Sequence, residues 1–137
     1  MLFATPISRQ QSRPASRKSM LRDPRAYLND ILEAAAAIAA ATTGLNEGAY
    51  SRNRLVRSAT EREFILIGEA LKVIAQRNPR LFAAIPEGRR IIDFRNLLTH
   101  EYLNVSNRIV WGAIQTDLPV LVQHCTQLLS ELNQEAS

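Results

Sequence analysis

Between Asp93 and Tyr102 the chain reads Asp-Phe-Arg-Asn-Leu-Leu-Thr-His-Glu-Tyr. Arg95, Asn96, His100 and Tyr102 thus place a guanidinium, an amide, an imidazole and a phenol close together in sequence. An imidazole exchanges protons near neutrality and serves as general acid or base. A planar guanidinium binds an oxyanion through paired N–H donors and steadies charge that develops on it. Singly, each residue has an ordinary structural use. An arginine at the edge of an apolar stripe lays its stem on the core and keeps its head in water. A histidine at a helix C-terminus favours the helix dipole, and a tyrosine suits the boundary between core and solvent. The spacing alone names no reaction.

On a helix of ~100° per residue, Ile91, Phe94, Leu97 and Leu98 form a core stripe with Arg95 and Tyr102 on one line at its edge. Asp93, Asn96 and His100 fall on the opposite face at i, i+3 and i+7. Arg95 and His100 are then ~140° apart, too far for one straight helix to aim both at one small group. Either the helix ends near His100 and turns, or a second subunit completes the site. Glu101 would enter the core stripe if the helix continued, which favours an end at His100.

The elements that must hold these residues are all helical. Asp23-Pro24 pairs an N-cap acceptor with a proline at the first helical position. Leu28, Ile31, Leu32, Ala35 and Ile38 follow at helical spacing, through an alanine-rich run to Gly44, a C-terminal stop. A second helix is expected from about Ser51 to Arg77, ~40 Å long, stopped by Asn78-Pro79. It has one stripe of Thr60, Phe64, Ile67, Leu71 and Ile74, and nearly opposite it Leu66 and Val73, flanked by Ile65. Two apolar sides imply two buried contacts, the core and a possible subunit interface. Residues 79–87 read as a short connection, a third helix as Glu87–His100 and a fourth as starting near Ser106. Asp117-Leu118-Pro119 restarts or kinks the last one, which continues through Leu121, Val122, Cys125, Leu128 and Leu132. No strand pattern and no repeat occur. The expected fold is all-α, a compact bundle of four to five helices.

The 137 residues suit one domain, and a single cysteine excludes a disulfide framework or a cysteine-based zinc site. No apolar run reaches the ~18 residues that span a bilayer, so no membrane role is expected and the cytoplasm is the expected location. The formal charge of +4 invites a nucleic-acid reading. Its distribution does not support that reason. Residues 1–25 hold six cations and one anion, and residues 26–137 hold eleven cations and twelve anions, so the tail is +5 and the body −1. Residues 1–20 read as a basic, disordered extension ahead of a helical domain over 21–137. A nucleic-acid or membrane-surface arm and a transit-like peptide are alternatives for it. The plainest reading, adopted here, is an upstream extension with Met20 as the functional start.

Arg95-x4-His100-x-Tyr102 resembles the signature of the HepT-like toxins of the HEPN ribonuclease superfamily. Other pieces are similar in the same order: Met20-Leu21-Arg22-Asp23 with Tyr27 to Leu32, then Ile67-Gly68-Glu69-Ala70, then Val110-Trp111 and Asp117-Leu118-Pro119. The likeness covers about residues 20–133. It implies a HEPN-like helical domain that forms a symmetric dimer, with the Arg/His motifs of both subunits in one cleft. The implied activity is metal-independent RNA cleavage by 2′-OH attack, giving a 2′,3′-cyclic phosphate, with neither metal nor cofactor. Arg95 and His100 would be catalytic, and Asn96, Glu69 and Asp93 supporting. Tyr102 would be the residue that a nucleotidyltransferase antitoxin adenylylates in a type VII toxin–antitoxin pair. Glu69 is equally readable as a solvent-exposed or inter-subunit salt bridge, and Asp93 as an ion pair with Arg89 or Arg90. His124, Cys125 and Trp111 read as structural, and the arginines at 52, 54, 57 and 62 as a solvated face or a phosphate track. Two other functions compete: a non-catalytic HEPN-like module that binds nucleotide, RNA or a partner, and a purely structural homodimer subunit.

Overall fold

The computed structural model describes residues 22–136, and of Tyr102 the backbone alone. The expected disordered extension over 1–20 lies outside the described residues. Helix α1, Pro24–Thr42, begins as the Asp-Pro pair predicts: an Asp23 carboxylate oxygen accepts from the Arg25 N–H at 2.9 Å. The Arg25 guanidinium folds back on the same carboxylate, and this bonding holds the Asp23 carboxyl below its ordinary range. Leu28, Ile31, Ala34, Ala35 and Ile38 make its buried face. Gly44, at φ +79°, takes the left-handed turn that lets the chain leave the helix.

The long second helix expected from Ser51 is two helices, α2 (Glu47–Arg52) and α3 (Arg54–Arg77). Asn53 is the reason. Its backbone is extended, its N–H closes α2 on the Tyr50 carbonyl, and its side-chain oxygen accepts from Val56 N–H at 3.1 Å to open α3. Asparagine's short polar side chain makes that exchange of backbone for side-chain bonds easy. Asn78 repeats the device at the other end. It closes α3 on the Ile74 carbonyl and caps the short α4, Pro79–Ala83, where a bare connection was expected. α5 is Gly88–His100, followed by a 3₁₀ turn at Tyr102–Asn104. α6 is Asn107–Gly112, capped by Ser106. The kink expected at Asp117-Leu118-Pro119 is a π-helical stretch, Ala113–Asp117, that runs into α7, Leu118–Ala136. Pro119 has no N–H to give and crowds the preceding turn, and a widened turn accommodates both.

The described residues form an all-α bundle of four long helices, α1, α3, α5 and α7, with three short ones between them and no strand. α3 is the spine. The predicted stripe Thr60, Phe64, Ile67, Leu71 and Ile74 is buried along its length. α1 packs on one side of it and α5 on another, and α7 lies against α1. Phe64 meets Phe94 of α5 edge to face at 5.1 Å, which fixes the rotation of α5 about its axis. Tyr50 and Trp111, with centroids 5.5 Å apart, tie α2 to α6. The opposite stripe of α3 meets less cover: Leu66 is 41% exposed. No described helix is long and apolar enough to cross a membrane.

Cys125 and His124, which the sequence reads as structural, lie on α7, Cys125 fully buried. Burial, then the nearby Glu87 charge, pushes the Cys125 thiol up to about 12, so it holds almost no thiolate at neutral pH. His124 Nδ1 lies 3.0 Å from the Glu87 carboxylate, whose side chain is nearly covered. That contact ties the start of α5 to α7.

Candidate active site

α5 reaches α3 through its apolar stripe, with Ile91, Ile92 and Leu98 buried. Arg95 sits at the edge of that stripe and crosses α3 at Gly68. A Cβ built on Gly68 would lie 2.3 Å from Arg95 Cβ and 2.6 Å from its Cγ, well inside van der Waals contact. The arginine stem therefore occupies the volume that any other residue at 68 would need. Glycine in a helix interior costs about 1 kcal/mol relative to alanine, so its presence here calls for a packing reason, and the Arg95 stem supplies one.

The same crossing covers most of Arg95, leaving its side chain 16% exposed. Its Nη1 donates to Asn96 Oδ1 at 2.9 Å and its Nη2 to Glu69 Oε2 at 3.1 Å. Its Nε is buried without a hydrogen-bond partner. A guanidinium has five N–H groups. Two are engaged and one is buried, which leaves one on each Nη for an incoming anion. Glu69, half exposed, competes for the same guanidinium, so the ion pair adds little to stability and orients the arginine instead.

α5 ends at His100. The Glu101 N–H still bonds the Leu97 carbonyl at 2.9 Å, but Glu101 has left helical geometry, at φ −133° and ψ 37°. Thr99 Oγ1 donates back to the Arg95 and Asn96 carbonyls at 3.1 and 3.2 Å, a local bond that loosens the last turn. The imidazole of His100 is exposed and makes no hydrogen bond within the described residues. Tyr102 begins the 3₁₀ turn immediately after.

The predicted residues therefore divide. Arg95, Asn96 and Glu69 form one hydrogen-bonded group. Glu69, half exposed, makes its salt bridge within the chain, to Arg95. His100 stands apart at the helix end, as the ~140° separation requires. Asp93 is exposed and unpaired among the described residues, and the ion pair with Arg89 or Arg90 is not formed. Arg90 instead bonds Asp117 at 2.9 Å and Arg89 lies over the Phe82 ring. Among the described residues no cluster of three or more His, Cys, Asp or Glu could hold a metal ion. The residue that sequence reasoning passed over is Gly68, quoted above only as part of a motif. Its signal was present: a glycine inside a strongly periodic helix, one residue before a carboxylate.

Gly68→Ala is predicted to lower stability by about 1–3 kcal/mol, because the new methyl must displace the Arg95 stem or part α3 from α5. Glu69→Gln should cost less than about 1 kcal/mol. Urea unfolding of the two variants measures both. A Gly68→Ala protein as stable as the wild type would show that the crossing is not tight.

Comparison with known proteins agrees with the likeness read from the motif. The family model described as ribonuclease HepT-like matches residues 31–128. A candidate RNase of Methanocaldococcus jannaschii is 30% identical over 98 residues, covering 72% of this chain and 89% of that protein. A candidate ribonuclease HepT of Thermococcus cleftensis is 32% identical over 102 residues, 74% of this chain and 92% of that one. A candidate RNase of Caldanaerobacter subterraneus is 26% identical over 111 residues, 81% and 98% of the two chains. No solved structure matches. With its all-α bundle, its Arg-x4-His-x-Tyr segment at the end of one helix and a family match over most of its length, the chain belongs to the ribonuclease HepT-like family.

Proposed function

We propose that the protein is a metal-independent endoribonuclease, the toxin of a type VII toxin–antitoxin pair acting on RNA in the cytoplasm. The observation that carries this reading is the contrast within α5. Arg95 is clamped against α3 with N–H groups to spare, while five residues on His100 is held free at the helix end. A clamped guanidinium that could bind an anion and an unengaged acid–base group, on different sides of one helix, support this reading.

In the proposed reaction the ribose 2′-OH attacks the adjacent phosphorus and the bond to the 5′-oxygen breaks. The products are a 2′,3′-cyclic phosphate and a 5′-OH. One proton leaves the 2′-oxygen and one reaches the departing 5′-oxygen, and an imidazole suits either transfer. Arg95 would bind the phosphate and stabilise the extra negative charge of the five-coordinate transition state. Asn96 and Glu69 would hold the guanidinium in place, and Asp93 would act on the His100 side. The ~140° between Arg95 and His100 supports a symmetric dimer in which two copies of the motif share one cleft. Each copy would then supply what the other's helix aims away.

Tyr102, two residues past His100, is the proposed target of a nucleotidyltransferase antitoxin. Its phenolic oxygen would attack the α-phosphorus of ATP, with pyrophosphate leaving. The resulting phosphodiester puts a negative charge and a nucleotide where RNA would lie, and both block substrate binding.

Arg95→Ala and His100→Ala are each expected to lower RNA cleavage by ~10²-fold or more with the helical fold retained, and His100→Ala, at an exposed residue, with the unfolding midpoint unmoved. Gel analysis of products and of their cyclic-phosphate ends checks this. Undiminished cleavage by either variant would overturn the assignment, and RNA binding without cleavage by the wild type would make the protein a non-catalytic module. Co-expression with the cognate nucleotidyltransferase should add AMP to the wild type and not to Tyr102→Phe, read by intact mass. Neutralisation without added mass would count against modification.

A further inference from the structure

α1 and α3 run side by side in opposite directions, with Tyr27 near Val73, and leave between them an open groove of ≈ 510 Å³. Its floor is apolar, Leu66 and Val73 among alanines, and its rim carries Asp30, Glu33, Glu63 and Glu69. Among the described residues no lysine or arginine lines it. Glu33 and Glu63 form no ion pair among the described residues. This is the second apolar side of the long helix, and its charge argues against a second copy as the occupant. An isologous contact sets a patch against itself, so carboxylates would face carboxylates.

The chain enters α1 at one end of this groove. Arg22 Nη1 lies 3.1 Å from Asp30 Oδ2, and the same guanidinium stacks 4.6 Å above the Tyr27 ring. Asp30 and Tyr27 are both groove residues. The segment ahead of Arg22, residues 1–21, carries Arg9, Arg13, Arg17 and Lys18 and no acid. We propose that this basic segment binds in cis along the acidic α1–α3 groove, continuing the contact that Arg22 begins. The reach fits. From Tyr27 to Ala37 the groove follows α1 for ~15 Å. Lys18 and Arg17 precede Arg22 by four and five residues, which at ~3.3 Å per residue span ~13–17 Å. That brings their charges level with Glu33 and Glu63. The proposal does not depend on the ribonuclease reading. It does touch the same carboxylate, because Glu69 belongs both to the rim and to the Arg95 group.

Zero-length carbodiimide cross-linking of the full chain tests it, because Lys18 and Lys72 are the only lysines. The expected result is an intramolecular amide from Lys18 to Glu33 or Glu63, found by peptide mass analysis. Its yield should fall by about fivefold or more at high salt, where exposed pairs are screened. In Glu33→Gln/Glu63→Gln no such amide can form, so there the readout is trypsin cleavage after Arg17 and Lys18. Cleavage should be about fivefold faster than in the wild type, as loss of the pairing frees the segment. The unfolding midpoint of that variant confirms that it is folded. Absence of the Lys18 cross-link, or equal cleavage rates in the two folded proteins, would overturn the proposal. Amides formed between isotopically distinct chains, and not within one, would also overturn it and assign the groove to a second copy.

Discussion

The close crossing of α3 and α5 at Gly68 and Arg95 is the constraint on which the rest of the site depends. With no side chain at 68, the arginine stem takes that volume. The guanidinium then emerges beside Glu69, the next residue of α3, and Asn96, its own neighbour. A core contact and the orientation of a guanidinium are thus set by one packing event. The edge-to-face pair of Phe64 and Phe94 stands one turn up α3 and one residue back on α5, so the aromatic core determines the rotation that brings Arg95 to Gly68. Pre-organisation of this kind matters for a charged group, because a guanidinium already oriented need not be ordered when it meets an anion.

Arg95 and His100 are held by opposite means. Arg95 is largely covered and bonded, whereas His100 is exposed on the last residue of a helix whose final turn is loosened by Thr99. Membership of the ribonuclease HepT-like family accounts for finding both groups in one short segment. Charge follows a similar division. The body of the chain, residues 26–137, holds eleven cations and twelve anions and is close to neutral. The acidic groove between α1 and α3 meets the Arg95 group at Glu69.

Much of this was legible in the sequence because it is written in local rules. Asp23-Pro24, Gly44 and Asn78-Pro79 mark helix ends through capping and backbone geometry. The Thr60 to Ile74 stripe shows which side of α3 is buried. The end of α5 at His100 follows from Glu101, a carboxylate that could not continue into the core stripe. What was missed depends on choices that local rules leave open. Asn53 can be a helix residue or a double cap, and in the fold it ends α2 beside Tyr50, which packs against Trp111 of α6. Arg89 and Arg90 could reach Asp93 along the helix, but the Phe82 ring and Asp117 come from other elements and win. The seat for Arg95 is likewise a tertiary fact, since nothing in the spacing of α3 and α5 says which glycine meets which stem.

The central claim is that the Arg95 fork, fixed on α3, stabilises the transition state, and that positive charge alone is not enough. Single-turnover cleavage of RNA by Arg95→Lys tests it most directly. The substitution keeps the charge and removes the planar fork. The account predicts a cleavage rate at saturating RNA lower by ~10²-fold or more with the fold intact. Cleavage by the lysine variant at the wild-type rate would contradict it.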